Sequence, residues 1–165
     1  MQAIQSPLEL YAHAIAIERE AAERYSELAE RMDDEGREEL ARVFGELAQM
    51  EAEHLEALEQ RTAGLALPEI PADRYHWLEH GRPETMRHEL IFRLMTPRQA
   101  LAIALVAERR AQAFFEEVAW GAADPALRAL AREMLAEEGE HIELVRRMLD
   151  DTPAPLGAAL VFERE

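Results

Sequence analysis

The chain has 165 residues, 48% hydrophobic and 32% charged, with a net charge of −16 and no cysteine. That length fits one domain with a sizeable core, and the negative charge argues against nucleic acid and anionic membrane surfaces as partners. The missing thiols exclude disulfides and cysteine-held iron–sulfur or zinc sites. The first ten residues, MQAIQSPLEL, have neither the basic nor the apolar region of a secretion signal, and no run of about 18 apolar residues could cross a bilayer, so the expected location is the cytoplasm.

Ala, Leu, Glu and Arg dominate the composition, and all favour helix. Ser6-Pro7, Thr96-Pro97 and Asp124-Pro125 each place a capping oxygen before a proline suited to the first helical position. They open periodic segments predicted as helices at about 7–31, 97–120 and 125–150. A further helix, at about 35–62, has a softer start near Asp33 and Asp34, with Glu38 and Glu39 suited to the positive end of its dipole. Short loops make the first two helices one antiparallel hairpin and the last two another.

Between the hairpins lies a connector, 63–96, broken by Pro68, Pro71, Gly81 and Pro83, in which Glu84 to Leu94 can form a short helix. It is long enough to travel the length of a bundle, so helices two and three need not be antiparallel neighbours. The expected fold is all-α: a four-helix bundle over residues 1–150 with this crossover, then a tail, 151–165. The apolar part of the tail, Leu156 to Phe162, is expected to pack on the same subunit or on a partner, and a homodimer through connector and tail is the expected assembly.

The chemistry lies in the helix seams. Helix two carries Leu40, Phe44, Leu47, Glu51, His54 and Leu58 on one face, and helix four carries Leu127, Ala131, Met134, Glu138, His141, Val145 and Met148. Both stripes step alternately by three and four, the core pattern of a bundle helix, yet both have Glu and His at the middle. Helix one runs Tyr11, Ile15, Glu18, Ala22, Tyr25; helix three runs Leu101, Leu105, Glu108, Gln112, Phe115, Val118. Each has a glutamate at its middle.

Glutamate is almost never fully buried unless paired, and four at matching depth would repel one another. Few basic residues share these faces. A pair of divalent cations would neutralise four carboxylates and take up two neutral imidazoles. Positions i and i+3 lie within about 60° of each other on a helix, so Glu51 with His54, and Glu138 with His141, can each face one metal pair. Bundles that hold two iron or manganese ions use this set: one Glu from each of two helices and Glu-x-x-His from each of the other two. The two halves also repeat: Glu18 and Glu108 are 90 residues apart, while Glu51 and Glu138, like His54 and His141, are 87 apart. IEREAAERY resembles AERRAQAFF, and MEAEHLEAL resembles EEGEHIELV.

With Glu18 and Tyr25, Glu51-x-x-His54, Glu108 and Phe115, and Glu138-x-x-His141, residues 7–150 resemble the rubrerythrin branch of the ferritin-like superfamily. The resemblance implies a ferritin-like bundle with a non-haem di-iron site. Glu18 and Glu108 would be terminal or bridging ligands, Glu51 and Glu138 would bridge or chelate, and His54 and His141 would cap. Tyr25 would donate to a ligand carboxylate. The implied reaction is oxidation of iron(II) by peroxide or dioxygen. Two features depart from the pattern. The rubredoxin domain of full-length rubrerythrins, with its four cysteines, has no counterpart here, so the electron donor is expected to be a separate protein or small molecule. Ala111 also stands where rubrerythrins have an extra glutamate three residues after the helix-three ligand, which favours a plainer six-ligand oxidase or storage-like site.

An alternative reading is a storage, delivery or sensing module with little turnover. Manganese or a mixed pair is a further possibility, because oxygen and imidazole ligands accept several metals. Small residues near the seam glutamates, Ala21, Ala22 and Ala111, could leave room for an oxidant. Phe115 reads as core packing, and Glu53, Glu137 and Glu140 fall off the seam and read as solvated. His13 also falls off the seam and reads as an ordinary residue. His76, His80, Glu84 and His88 read as connector surface rather than a second ion site, and Trp77 and Trp120 as anchors for the connector and a helix end.

Overall fold

The computed structural model describes residues 4–70 and 95–153. These form four helices: α1 (Pro7–Asp34), α2 (Glu38–Arg61), α3 (Pro97–Gly121) and α4 (Pro125–Asp151). The short helix expected at 84–94, the connector histidines, Trp77 and the apolar tail lie outside the described residues.

The three proline-marked starts form as their chemistry dictates. Ser6 Oγ accepts from the Glu9 amide at 3.2 Å, and Asp124 Oδ1 accepts from the Ala126 amide at 2.8 Å. Thr96 and Gln99 form a reciprocal capping box, with the Thr96 amide donating to Gln99 Oε1 at 2.9 Å and the Gln99 amide donating to Thr96 Oγ1 at 3.2 Å. Each cap stabilises its helix by about 1 kcal/mol.

The first loop differs from expectation. Asp33 and Asp34 do not start α2; they end α1, and α2 begins at Glu38 without a side-chain cap. The reason is Gly36, whose φ of 70° suits the residue just past a helix end. The Arg37 amide donates to Met32 O and the Gly36 amide to Asp33 O, so the loop satisfies two terminal carbonyls of α1.

The apolar seams gather into two clusters, one at each end of the bundle. One joins Leu10 and Ala14 of α1, Leu58 of α2, Phe114, Phe115 and Val118 of α3, and Leu127, Leu130 and Met134 of α4. The other joins Tyr25 and Met32 of α1, Leu40, Phe44 and Leu47 of α2, Leu101 and Ala104 of α3, and Val145 of α4. The first cluster therefore takes the N-terminal halves of α1 and α4 and the C-terminal halves of α2 and α3. So α1 and α4 run one way, α2 and α3 the other, and the chain leaves α2 at one end of the bundle and starts α3 at the opposite end. Arg37 at the start of α2 donates to Met95 O just before α3. Arg98 donates to Leu149 O and Thr152 O, closing the α3–α4 hairpin at that same end.

Two other expectations change. Trp120 is 82% exposed and anchors nothing among the described residues, because the last turn of α3 presents it outward. His13 is buried, its ring tilted against Phe114 of α3 with centroids 5.7 Å apart, because the N-terminal half of α1 buries more than its seam.

Candidate metal centre

Between the two apolar clusters lies a polar layer. Helix α1 supplies Glu18, α2 supplies Glu51, α3 supplies Glu108, and α4 supplies Glu138 and His141. All five are at most 5% exposed. A buried carboxylate needs a counter-charge or a proton. Among the described residues no lysine or arginine pairs with any of the four. The cation-capable group among them is His141, whose Nδ1 lies 3.4 Å from Glu108 Oε2, 3.7 Å from Glu138 Oε2 and 3.9 Å from Glu51 Oε2.

The electrostatics reflect that crowding. Burial pushes the carboxyl groups of Glu51 and Glu138 well above the usual carboxylate range, and the neighbouring Glu108 and Glu18 add to it. Burial also raises Glu18, partly offset by Glu51 and His141. For His141 burial works downward, but the carboxylates around it, Glu108 first, leave its basicity raised. The cluster thus holds protons that a bound cation would displace.

The donor atoms fit such a cation. Glu18 Oε2, Glu51 Oε1 and both nitrogens of His141 are buried without a hydrogen-bond partner. Two ligand groups emerge, Glu18–Glu51–His141 and Glu108–Glu138–His141, and in each the offered atoms lie within 4.8 Å of one another. A set of carboxylate oxygens and imidazole nitrogens suits iron or manganese. His54 stands just outside both groups, half-buried, its ring edge-on to that of His141 with centroids 4.2 Å apart. The two Glu-x-x-His motifs are therefore not equivalent here: His141 is shared by both groups and His54 flanks them.

The family model for rubrerythrin matches residues 9–149, a span that includes every one of these side chains. The chain belongs to the rubrerythrin family. It is similar to an uncharacterised conserved protein from Magnetospirillum magnetotacticum MS-1 whose crystal structure superposes with a TM-score of 0.73. The two are 35% identical, over 91% of this chain and 97% of the other. No curated protein is similar enough to count as a match. The fold is thus a ferritin-like four-helix bundle, and the cluster has the composition of a carboxylate–histidine metal site.

Within this rubrerythrin-family bundle, Tyr25 reaches the cluster from α1. Its hydroxyl donates to Glu108 Oε1 at 3.3 Å, and its ring stacks on Phe44. Burial and the nearby Glu108 hold the phenol well above its usual range, so it stays a donor. The sequence leaves its acceptor open; the bundle chooses Glu108, across the core, because α1 and α3 face each other there. Phe115 is 1% exposed and packs edge-on against Phe114, a core residue as expected. Ala22 and Ala111 are buried, and Ala21 is partly so.

Glu137 departs from expectation. It is half-buried rather than solvated, and burial raises its carboxyl, with Glu133 adding to the effect. It lines a cleft of about 240 Å3 together with Glu53, His54, Ala57, Leu58 and Arg61. Glu53 and Glu140 are exposed, as read from their positions. A residue next to a seam position lies about 100° round the helix, where burial depends on the neighbouring helix and leaves no signature in the periodicity.

Proposed function

We propose that the chain binds two metal ions, iron in the first instance, through Glu18, Glu51, His54, Glu108, Glu138 and His141, and that it oxidises iron(II) with peroxide or dioxygen. The observation that carries this reading is the layer of four buried carboxylates that, among the described residues, has no lysine or arginine to neutralise it and leaves donor atoms unpartnered. Oxidation of two iron(II) supplies the two electrons that, with two protons, reduce one hydrogen peroxide to two waters.

The rest falls to the protein. Glu18, Glu51 and His141 hold one side of the site, and Glu108, Glu138 and His141 hold the other. His54, less buried than the other five and with its ring against that of His141, would complete the set. The Tyr25 hydroxyl orients Glu108 and keeps a proton next to the site. The apolar clusters on either side exclude bulk water, which strengthens every charge interaction within. The electron donor in this reading is a separate protein or small molecule, since these 165 residues have no cysteine for a cysteine-held iron centre.

One observation favours a quieter role. Ala111 is buried on the core side of α3, one turn from Glu108, so the site has no fifth carboxylate there. That suits iron storage, delivery or sensing without efficient turnover. The experiment that separates the two loads the metal-free protein with iron(II) under anaerobic conditions and then adds peroxide or dioxygen. Repeated turnover with an added reductant supports the enzyme, whereas a single stoichiometric oxidation supports storage or sensing. Binding of fewer than two ions, unaltered by Glu51→Ala combined with Glu138→Ala, would sink both.

A further inference from the structure

The centre is closed at both ends of the bundle. Leu58, Phe115 and Leu127 lie on one side, and Leu40, Leu47 and Leu101 on the other, all buried. A hydrated dication cannot cross such layers without losing its water for nothing in return. Of the six proposed ligand residues, five are at most 5% exposed, and the sixth, His54, is half-buried. His54 also lines the cleft between α2 and α4. Beyond it lies His141, ring against ring, and His141 belongs to both ligand groups. An unbroken run of donors therefore leads sideways from solvent to the centre.

Two side chains shape the mouth of this cleft. Arg61 places a positive charge there, but its guanidinium is committed: it donates twice to Glu133 of α4 and sits over the Tyr11 ring of α1, 5.4 Å from its centroid. Held that way, it spans three helices and fixes one wall. Glu137 is the half-buried carboxylate in the cleft, one residue from Glu138, while Glu53 lies at the solvent edge.

We infer that this lateral cleft is the port of the metal centre, where an incoming divalent cation exchanges its first waters for the Glu137 carboxylate and is passed by His54 to the inner glutamates. The inference rests on the two-metal reading above and adds the route and a residue for it. A half-buried carboxylate is well placed for such a relay. It attracts the ion strongly enough to begin dehydration, yet it has too few companions to keep the ion.

The test is cobalt(II) uptake by the metal-free full-length chain, followed by stopped-flow absorbance, with the number of ions bound at equilibrium measured separately. Glu137→Gln is expected to slow uptake about tenfold while two cobalt ions still bind at equilibrium. Ala57→Met, which narrows the cleft without touching a charge, is expected to slow it as well. Glu117→Gln makes the same charge change on the exposed side of α3, which contributes nothing to the cleft, and should leave the rate unchanged. If Glu137→Gln slows uptake no more than Glu117→Gln does, the route is wrong. If it instead removes an ion at equilibrium, Glu137 is a resident ligand and not a way-station. Failure of the unaltered protein to bind two cobalt ions would count against the two-metal reading itself, a result distinct from any change in rate.

Discussion

Glu51 shows what a single buried side chain reveals. It is 2% exposed, one of its oxygens has no partner, and burial favours its protonated form. A residue kept at such cost is retained for something other than stability. Replacing it with the neutral isostere should therefore stabilise the metal-free protein near neutral pH. Glu51→Gln is expected to add on the order of 1 kcal/mol, which for a chain of this size is about 2–4 °C in Tm. The same variant should lose most of the further rise in Tm that iron(II) or cobalt(II) gives the parent protein. Thermal unfolding with a chelator and with metal checks both outcomes, and a metal-free Glu51→Gln that melts below the parent would overturn this reading of Glu51. The four glutamates were legible in the sequence because each interrupts an apolar stripe. The half-burial of Glu137 and His54, and the choice of Glu108 as the acceptor for Tyr25, were not, since each depends on which helix stands opposite.

The helices show the same division. Three of their starts could be read from a capping side chain before a proline, a signal complete within four residues. The fourth misled. Two aspartates resemble a cap, but Gly36 outweighs them, because a left-handed backbone just past a helix end is strained for any other residue type except Asn or Asp. Gly36→Ala tests this cleanly. A Cβ there would meet nothing within 4 Å, so backbone strain is the remaining penalty. The expected loss is about 1–2 kcal/mol in chemical denaturation, with metal stoichiometry unchanged. A smaller loss for Gly36→Asn, which tolerates the conformation, would confirm the cause.

Taken whole, the molecule is two apolar clusters with a charged layer between them, and that arrangement predicts a pH response. Glu18, Glu51 and Glu138 have folded-state affinities for protons above those of an unfolded chain, and so does His141. Groups raised in this way stabilise the fold in full below their unfolded pKa, about 4.3 for glutamate and about 6.5 for histidine. That contribution is lost as pH climbs through the raised folded values. The metal-free protein should therefore show a falling Tm between about pH 5 and about pH 8. The two-metal form should lose far less over the same range, because the cations have already displaced those protons. Calorimetry of both forms across that range decides it, and a metal-free Tm that rises with pH would contradict the reading.

The amino-acid sequence by itself determined the helices, the hairpins, the central depth of the six proposed ligands and the family resemblance, because all of these rest on periodicity and spacing along one chain. Only the tertiary structure decided that α2 and α3 run parallel, that His141 rather than His54 serves both ligand groups, and that His54 and Glu137 line one lateral cleft. The physical reason is the same in each case. A helix dictates which of its residues share a face, but burial, proton affinity and access belong to the space between helices, and no single stripe contains that space.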